Sequence, residues 1–145
     1  MSDPFRLNRF EAAQEQGGTY ASAISELRSG RRVSHWMWFV FPQAAGLGRS
    51  SMSRTYAITS LAEAEAYLQH PVLGPRLVEC TRALAGLRGL SAEEVLGATD
   101  AMKLRSSMTL FARVASEDSP FRDVLDLYFG GLGDPATEQL ESLES

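Results

Sequence analysis

Residues 60–87 read SLAEAEAYLQHPVLGPRLVECTRALAGL, and their punctuation decides for helices. Ser60 with Glu63 makes a capping box, in which each side chain can satisfy a free backbone N–H of the first turn. Leu61, Ala64 and Leu68 then share one face, and His70-Pro71 ends the helix. Pro75 reads as a first helical position of the next helix, where its missing N–H costs nothing. Leu77, Cys80, Leu84 and Leu87 supply the apolar stripe of that helix.

The same signals recur toward the C-terminus. Ser91 and Glu94 form a second capping box, closed by Gly97. Thr99 or Asp100 starts a helix with Ala101, Leu104, Met108 and Phe111 on one face. Ser119-Pro120 and Asp134-Pro135 each read as an N-cap followed by a first-turn proline, opening helices that run to about Phe129 and Leu143. Toward the N-terminus, Leu7, Phe10 and Ala13 before Gly17-Gly18 predict a short helix. Thr19 caps another, in which Tyr20, Ile24 and Leu27 recur until Gly30.

Ser34 to Gln43 is ambiguous, because an unbroken apolar run suits a buried strand or a buried helix. Ser34 as a cap and Pro42 as a terminator favour a short buried helix. Gly46, Gly48 and the serines up to Ser53 read as a flexible connection. No alternating strand pairs exist to build a sheet. The expectation is an all-α fold, a compact single-domain bundle of about six to seven short helices over residues 1–145, with frayed ends at 1–6 and 144–145.

Composition narrows the function classes. Hydrophobic residues make up 44% and charged residues 22%, as in globular rather than disordered chains. The single cysteine, Cys80, excludes an internal disulfide framework and fits a reducing compartment. The N-terminus lacks the basic start and apolar stretch of a secretion signal. The run from Trp36 to Pro42 is far shorter than the ~20 residues that span a bilayer. A cytoplasmic location without membrane attachment is expected. A net charge of −4 argues against nucleic-acid binding, although Arg28, Arg31, Arg32, Arg49 and Arg54 flank the aromatic run and leave room for a small anionic ligand.

Two blocks could carry chemistry. In His35-Trp36-Met37-Trp38-Phe39-Val40-Phe41-Pro42-Gln43, the tryptophans could stack a ring, His35 could move protons near neutral pH, and Gln43 could make a two-sided hydrogen bond. The same run also serves as a core helix with a structural histidine. In Asp100 to Thr109, Asp100, Lys103 and Ser107 fall on one helical face, and a lysine beside Ser106 and Ser107 suits phosphate or carboxylate. The plain alternative is a polar face with Lys103 paired to Asp100. His70 and Arg76 flank a rigid turn that could receive an anion at a helix start, or simply join two helices. No metal site is expected, since no close Cys or His ligand pair occurs, and no cofactor fingerprint is present.

With these blocks in view, the chain resembles a bacterial family of unknown function whose members are often labelled calpastatin. The likeness rests on His35 to Gln43 and on Asp100 to Phe111. Leu7-Asn8-Arg9-Phe10, Glu26 to Arg31, His70 to Leu77 and Tyr128-Phe129-Gly130-Gly131 support it. It implies a compact helical domain and no particular activity. The calpastatin label carries no weight, because that inhibitor is a disordered chain and this composition is globular.

The functional expectation is a small-ligand-binding or hydrolytic domain for a nucleotide- or ADP-ribose-like molecule. Trp36 or Trp38 would stack the ligand and Gln43 would orient it. Lys103, Ser106 and Ser107 would meet its anionic part, and His35 or Asp100 would handle protons. The alternative is a non-catalytic interaction or homo-oligomeric module that presents an exposed helix face.

Overall fold

The computed structural model describes residues 3–47 and 50–140. Its first helix is started from a distance: the Asp3 carboxylate accepts the Leu7 N–H at 2.8 Å and the Asn8 N–H at 3.0 Å. Asp3, within the segment expected as a frayed end, therefore holds the start of α1 (Asn8–Glu15). A 3-10 turn, Gln16–Gly18, leads into α2 (Thr19–Ser29). Thr19 is the first residue of α2 rather than its cap, and its hydroxyl bonds back to the Gln16 carbonyl at 2.7 Å. Gly30 stops α2 at φ +81°, a conformation that a side chain would strain.

The aromatic run makes only one turn, α3 (Met37–Val40). Ser34 does not cap it, because its backbone and hydroxyl are both taken by Glu26. The expected flexible connection contains a helix, α4 (Ser51–Thr55), whose Ser50 cap accepts the Ser53 N–H at 3.1 Å. Among the described residues the one strand-like feature is a parallel bridge between Ala44 and Ile58.

α5 (Leu61–Gln69) and α6 (Leu73–Ala85) form the pair whose punctuation announced helices. The Ser60 hydroxyl caps the Glu63 N–H at 3.0 Å, but the Glu63 side chain does not return to Ser60. It accepts from the Thr59 backbone and hydroxyl and pairs with Arg9 at 3.0 Å. Glu63 is only 2% exposed, so this bond fastens a buried carboxylate to α1. Arg9 spends its remaining donors on the carbonyls of Phe5, Arg6, Thr55 and Ala57. α6 begins at Leu73, which puts Pro75 third in the helix rather than first. Its cap is an imidazole: His70 Nδ1 accepts from the Val72 and Leu73 N–H groups, each at 3.1 Å.

α7 (Ala92–Leu96) carries the full Ser91–Glu94 capping box. α8 (Ala98–Ala112) starts after Gly97, one to two residues earlier than expected. α9 (Pro120–Phe129) and α10 (Pro135–Glu138) complete the bundle. The expected extension of the last helix to Leu143 falls outside the described residues. The fold is all-α, and among the described residues six helices have eight or more residues.

α8 forms the centre. Ala101, Leu104 and every residue from Ser106 to Phe111 are buried, so most of its circumference faces protein. α5, α7, α9 and α10 pack around it, and α6 packs on α2, α5 and α9. A file of rings crosses the interior: Phe10 meets Tyr67 at 5.2 Å, Tyr67 meets Phe111 at 5.4 Å, and Phe111 meets Phe121 at 5.8 Å. These edge and tilted contacts join α1, α5, α8 and α9.

Candidate functional site

The geometry of the site begins at Glu26, in the last turn of α2. Its carboxylate accepts the Val33 N–H at 2.6 Å, the Ser34 N–H at 2.8 Å, the Ser34 hydroxyl at 2.7 Å and the Trp36 indole N–H at 3.0 Å. Burial opposes ionisation of Glu26, but these donors outweigh it and hold the acid down at about 2. The loop after α2 is thus pinned and Trp36 is drawn fully inside, at 0% exposed. Trp36 is therefore a core residue whose indole is committed to Glu26. It borders a small cavity beside His35 but presents no exposed ring face for stacking, which corrects that part of the expectation.

Two residues later in the same turn, Trp38 is left half-buried. From below, the Phe39 carbonyl receives the Gln14 amide at 2.8 Å and the Tyr67 hydroxyl at 3.3 Å, which fixes α3 against the core. Gln43 is fixed through its backbone, since its carbonyl accepts the Ile58 N–H at 2.8 Å in the parallel bridge. Its side-chain amide meets no described donor or acceptor.

α8 brings the second block to the same place. Lys103 Nζ lies 3.8 Å from the centroid of the Trp38 ring, a cation–π contact. It also lies 3.0 Å from Asp100 Oδ1, while Arg32 Nε lies 3.1 Å from Asp100 Oδ2. Both carboxylate oxygens are thus taken by cations, and Asp100 anchors Lys103 rather than offering an open oxygen for a proton. Arg32 is itself tied to the carbonyls of Leu96 and Ser34. Two largely buried cations share one anion, which leaves a local excess of positive charge beside Trp38.

Two cavities open against this cluster. One, of about 280 Å³, is lined by Trp38, Gln43, Lys103, Ser106 and Asp134. The other, of about 120 Å³, is lined by Arg32, His35, Trp38, Asp100 and Lys103. Trp38 and Lys103 are walls of both. The larger is near the lower bound of about 300 Å³ for small-molecule pockets. His35 is exposed at the rim of the smaller.

Of the residues expected at a site, Trp38, Gln43, Lys103 and Ser106 meet in the larger cavity, and His35 and Asp100 border the smaller. Ser107 is displaced: it is fully buried, its hydroxyl has no hydrogen-bond partner, and it cannot meet an anion. Consecutive helical residues point about 100° apart, so only one of the two serines can face the cavity. Sequence reasoning overlooked Glu26, Asp134 and Thr137 as site residues. The cap signal at Asp134-Pro135 was the available clue to the last two, whereas Glu26 gave none.

The other candidates are occupied in structural roles. The His70 ring caps α6, and Arg76 pairs with Glu15 at 2.6 Å while lying over the Tyr20 ring. An open groove of about 660 Å³ beside them contains Arg28 and Glu79, which neutralise each other at 3.0 Å. Arg49 lies outside the described residues. Cys80 is sealed in the core, where burial pushes its thiol up to about 12 and leaves it inert. Among the described residues no three His, Cys, Asp or Glu side chains gather to hold a metal ion, and no helix is long and apolar enough to cross a membrane.

Comparison with known proteins extends the picture to a relative. The crystal structure of the conserved hypothetical protein Rv1873 from Mycobacterium tuberculosis is 52% identical to this chain. It superposes with a TM-score of 0.89 over 93% of this chain and 95% of that one. No curated protein matches. The family model described as a protein of unknown function, DUF1810, matches residues 4–141, and the chain belongs to that family.

Proposed function

We propose that the chain is a cytoplasmic domain that binds a small polar molecule joining a planar ring to an anionic group, of the nucleotide or ADP-ribose class. The observation that carries this reading is the convergence of Trp38 and Gln43 with Lys103 and Ser106 on one cavity. These pairs come from blocks more than fifty residues apart, and a few convergent polar groups around an aromatic wall are what ligand pockets require. Lys103 supplies the charge for the anion, Trp38 the stacking face and Gln43 an amide free to orient the ligand. If the bound molecule is hydrolysed, His35 is the group placed to transfer the proton, since Asp100 is committed to Arg32 and Lys103.

A thermal-shift screen against nucleotides, ADP-ribose derivatives and sugar phosphates tests this directly. A ligand at a hundred times its dissociation constant adds ~2.7 kcal/mol to the stability of the fold. Lys103→Ala is expected to lose that stabilisation, at least tenfold in affinity, while melting as a folded domain. Retention of the shift in Lys103→Ala would move the site elsewhere. Silence across the whole library would shift the reading to an interaction module, for which exposed Val33, Met102 and Leu132 are the surface to examine.

A further inference from the structure

We propose that Ser106 and Asp134 form a wall of hydrogen-bond acceptors that selects a ligand with vicinal hydroxyls, a ribosyl rather than a deoxyribosyl phosphate. This deepens, and rests on, the reading of the cavity as an anion site.

The proposal follows from the direction of three hydrogen bonds. The Thr137 hydroxyl lies 2.6 Å from Asp134 Oδ2 and 2.7 Å from Ser106 Oγ. A hydroxyl has one proton, and a carboxylate can only accept, so Thr137 gives its proton to Asp134. The contact with Ser106 must then be filled by the Ser106 proton. Ser106, which lines the cavity, is left with lone pairs on Oγ and no donor to offer. Asp134 Oδ2 also accepts the Thr137 N–H at 3.0 Å, whereas Oδ1 receives no hydrogen bond from a described residue. Both residues line the same cavity, one hydroxyl apart.

Thr137 is fully buried and Ser106 is 2% exposed, so the arrangement is built into the core rather than adopted by surface side chains. Ser106 Oγ keeps unused lone pairs after donating to Thr137, and Asp134 Oδ1 sits on a partly exposed side chain, so the wall is matched by donors from the ligand. Lys103 lies one helical turn from Ser106 along α8 and calls for an anion. The negative charge of Asp134 keeps that anion off the acceptor wall and fixes the ligand's polarity. Two adjacent O–H groups on a phosphorylated sugar satisfy both ends, and a carboxylate accepting from a ribose hydroxyl is a recurrent solution for nucleotide binding. A site that hydrogen-bonds a hydroxyl rejects an analogue lacking it far more strongly than an apolar pocket rejects a lost methylene.

The test is a titration of the isotope-labelled protein with ribose 5-phosphate, 2-deoxyribose 5-phosphate and inorganic phosphate. It is followed by NMR at the Trp38 indole N–H and the Gln43 side-chain amide. Ribose 5-phosphate should bind at least tenfold more tightly than its deoxy analogue. Ser106→Ala should reduce that ratio to within twofold. Thr137→Val, which frees the Ser106 proton, should also erase the preference, and Thr137→Ser should restore it. Equal binding of the two sugars, or a preference that survives Ser106→Ala, overturns the proposal. If no phosphate-bearing probe moves either signal, the anion reading fails. Methyl riboside and its 2-deoxy analogue then decide the wall separately: binding of the riboside alone upholds it, and silence overturns it.

Discussion

At Glu26 one carboxylate receives four donors, and they hold Val33, Ser34 and Trp36 in place between α2 and α3. Removing its charge leaves the Val33 and Ser34 N–H groups and the Trp36 indole without a charged acceptor. Glu26→Gln is expected to cost about 2 kcal/mol at neutral pH, in the range of hydrogen bonds to charged groups. The pH dependence has a definite sign. A folded-state value of about 2 lies below the ordinary 4.5, so the contribution is complete above pH 4.5 and is lost as pH falls through about 2. Denaturant unfolding of the wild type and Glu26→Gln across that window should show the difference shrinking on acidification. A difference independent of pH would show that the charge is not what holds the loop.

Between elements, α5 and α6 meet with backbone against backbone at Gly74. A Cβ added to Gly74 would stand 2.0 Å from the Leu68 carbonyl oxygen, and a backbone atom cannot swing aside as a side chain can. Gly74→Ala should destabilise the fold by about 3 kcal/mol, at the upper end of overpacking effects. Gly86→Ala, at the end of the same helix and in ordinary contact at 3.5 Å, should change it by no more than about 0.5 kcal/mol. Melting temperatures of the two variants check the contrast. The long helices were legible because their signals are local: the Ser91–Glu94 box, the Gly30 stop and the Pro120 start each act within a few residues. α4 was missed because a run of serines has no apolar period to read. The cap of α6 was missed because an imidazole substitutes for the usual small polar side chain. The two blocks singled out in the sequence meet at one cavity, but the sequence could not choose between Trp36 and Trp38, or between Ser106 and Ser107. That choice depends on which way a helix is rotated, and Glu26 and the packing of α8 set the rotation from outside each block.

For the molecule as a whole, burial around most of α8 predicts where stability concentrates. Amide hydrogens from Ser106 to Phe111 should exchange only on global unfolding, while α4 and α10 exchange through local openings. Exchange in α8 as fast as in α10 would contradict a fold organised around α8. The cavity stands on this rigid centre on one side and on the pinned turn of α3 on the other, so its walls are held by the fold itself. The two tryptophans divide along the same line. Trp36 is enclosed with its indole bound to Glu26, and Trp38 lies under the ammonium of Lys103 at the cavity wall. The unmodified chain therefore contains two intrinsic fluorophores with separate duties. Emission from Trp36 reports whether the protein is folded, and emission from Trp38 reports changes at the cavity wall, including the proposed binding. Replacing either with phenylalanine turns the molecule into a single-channel optical sensor of the other.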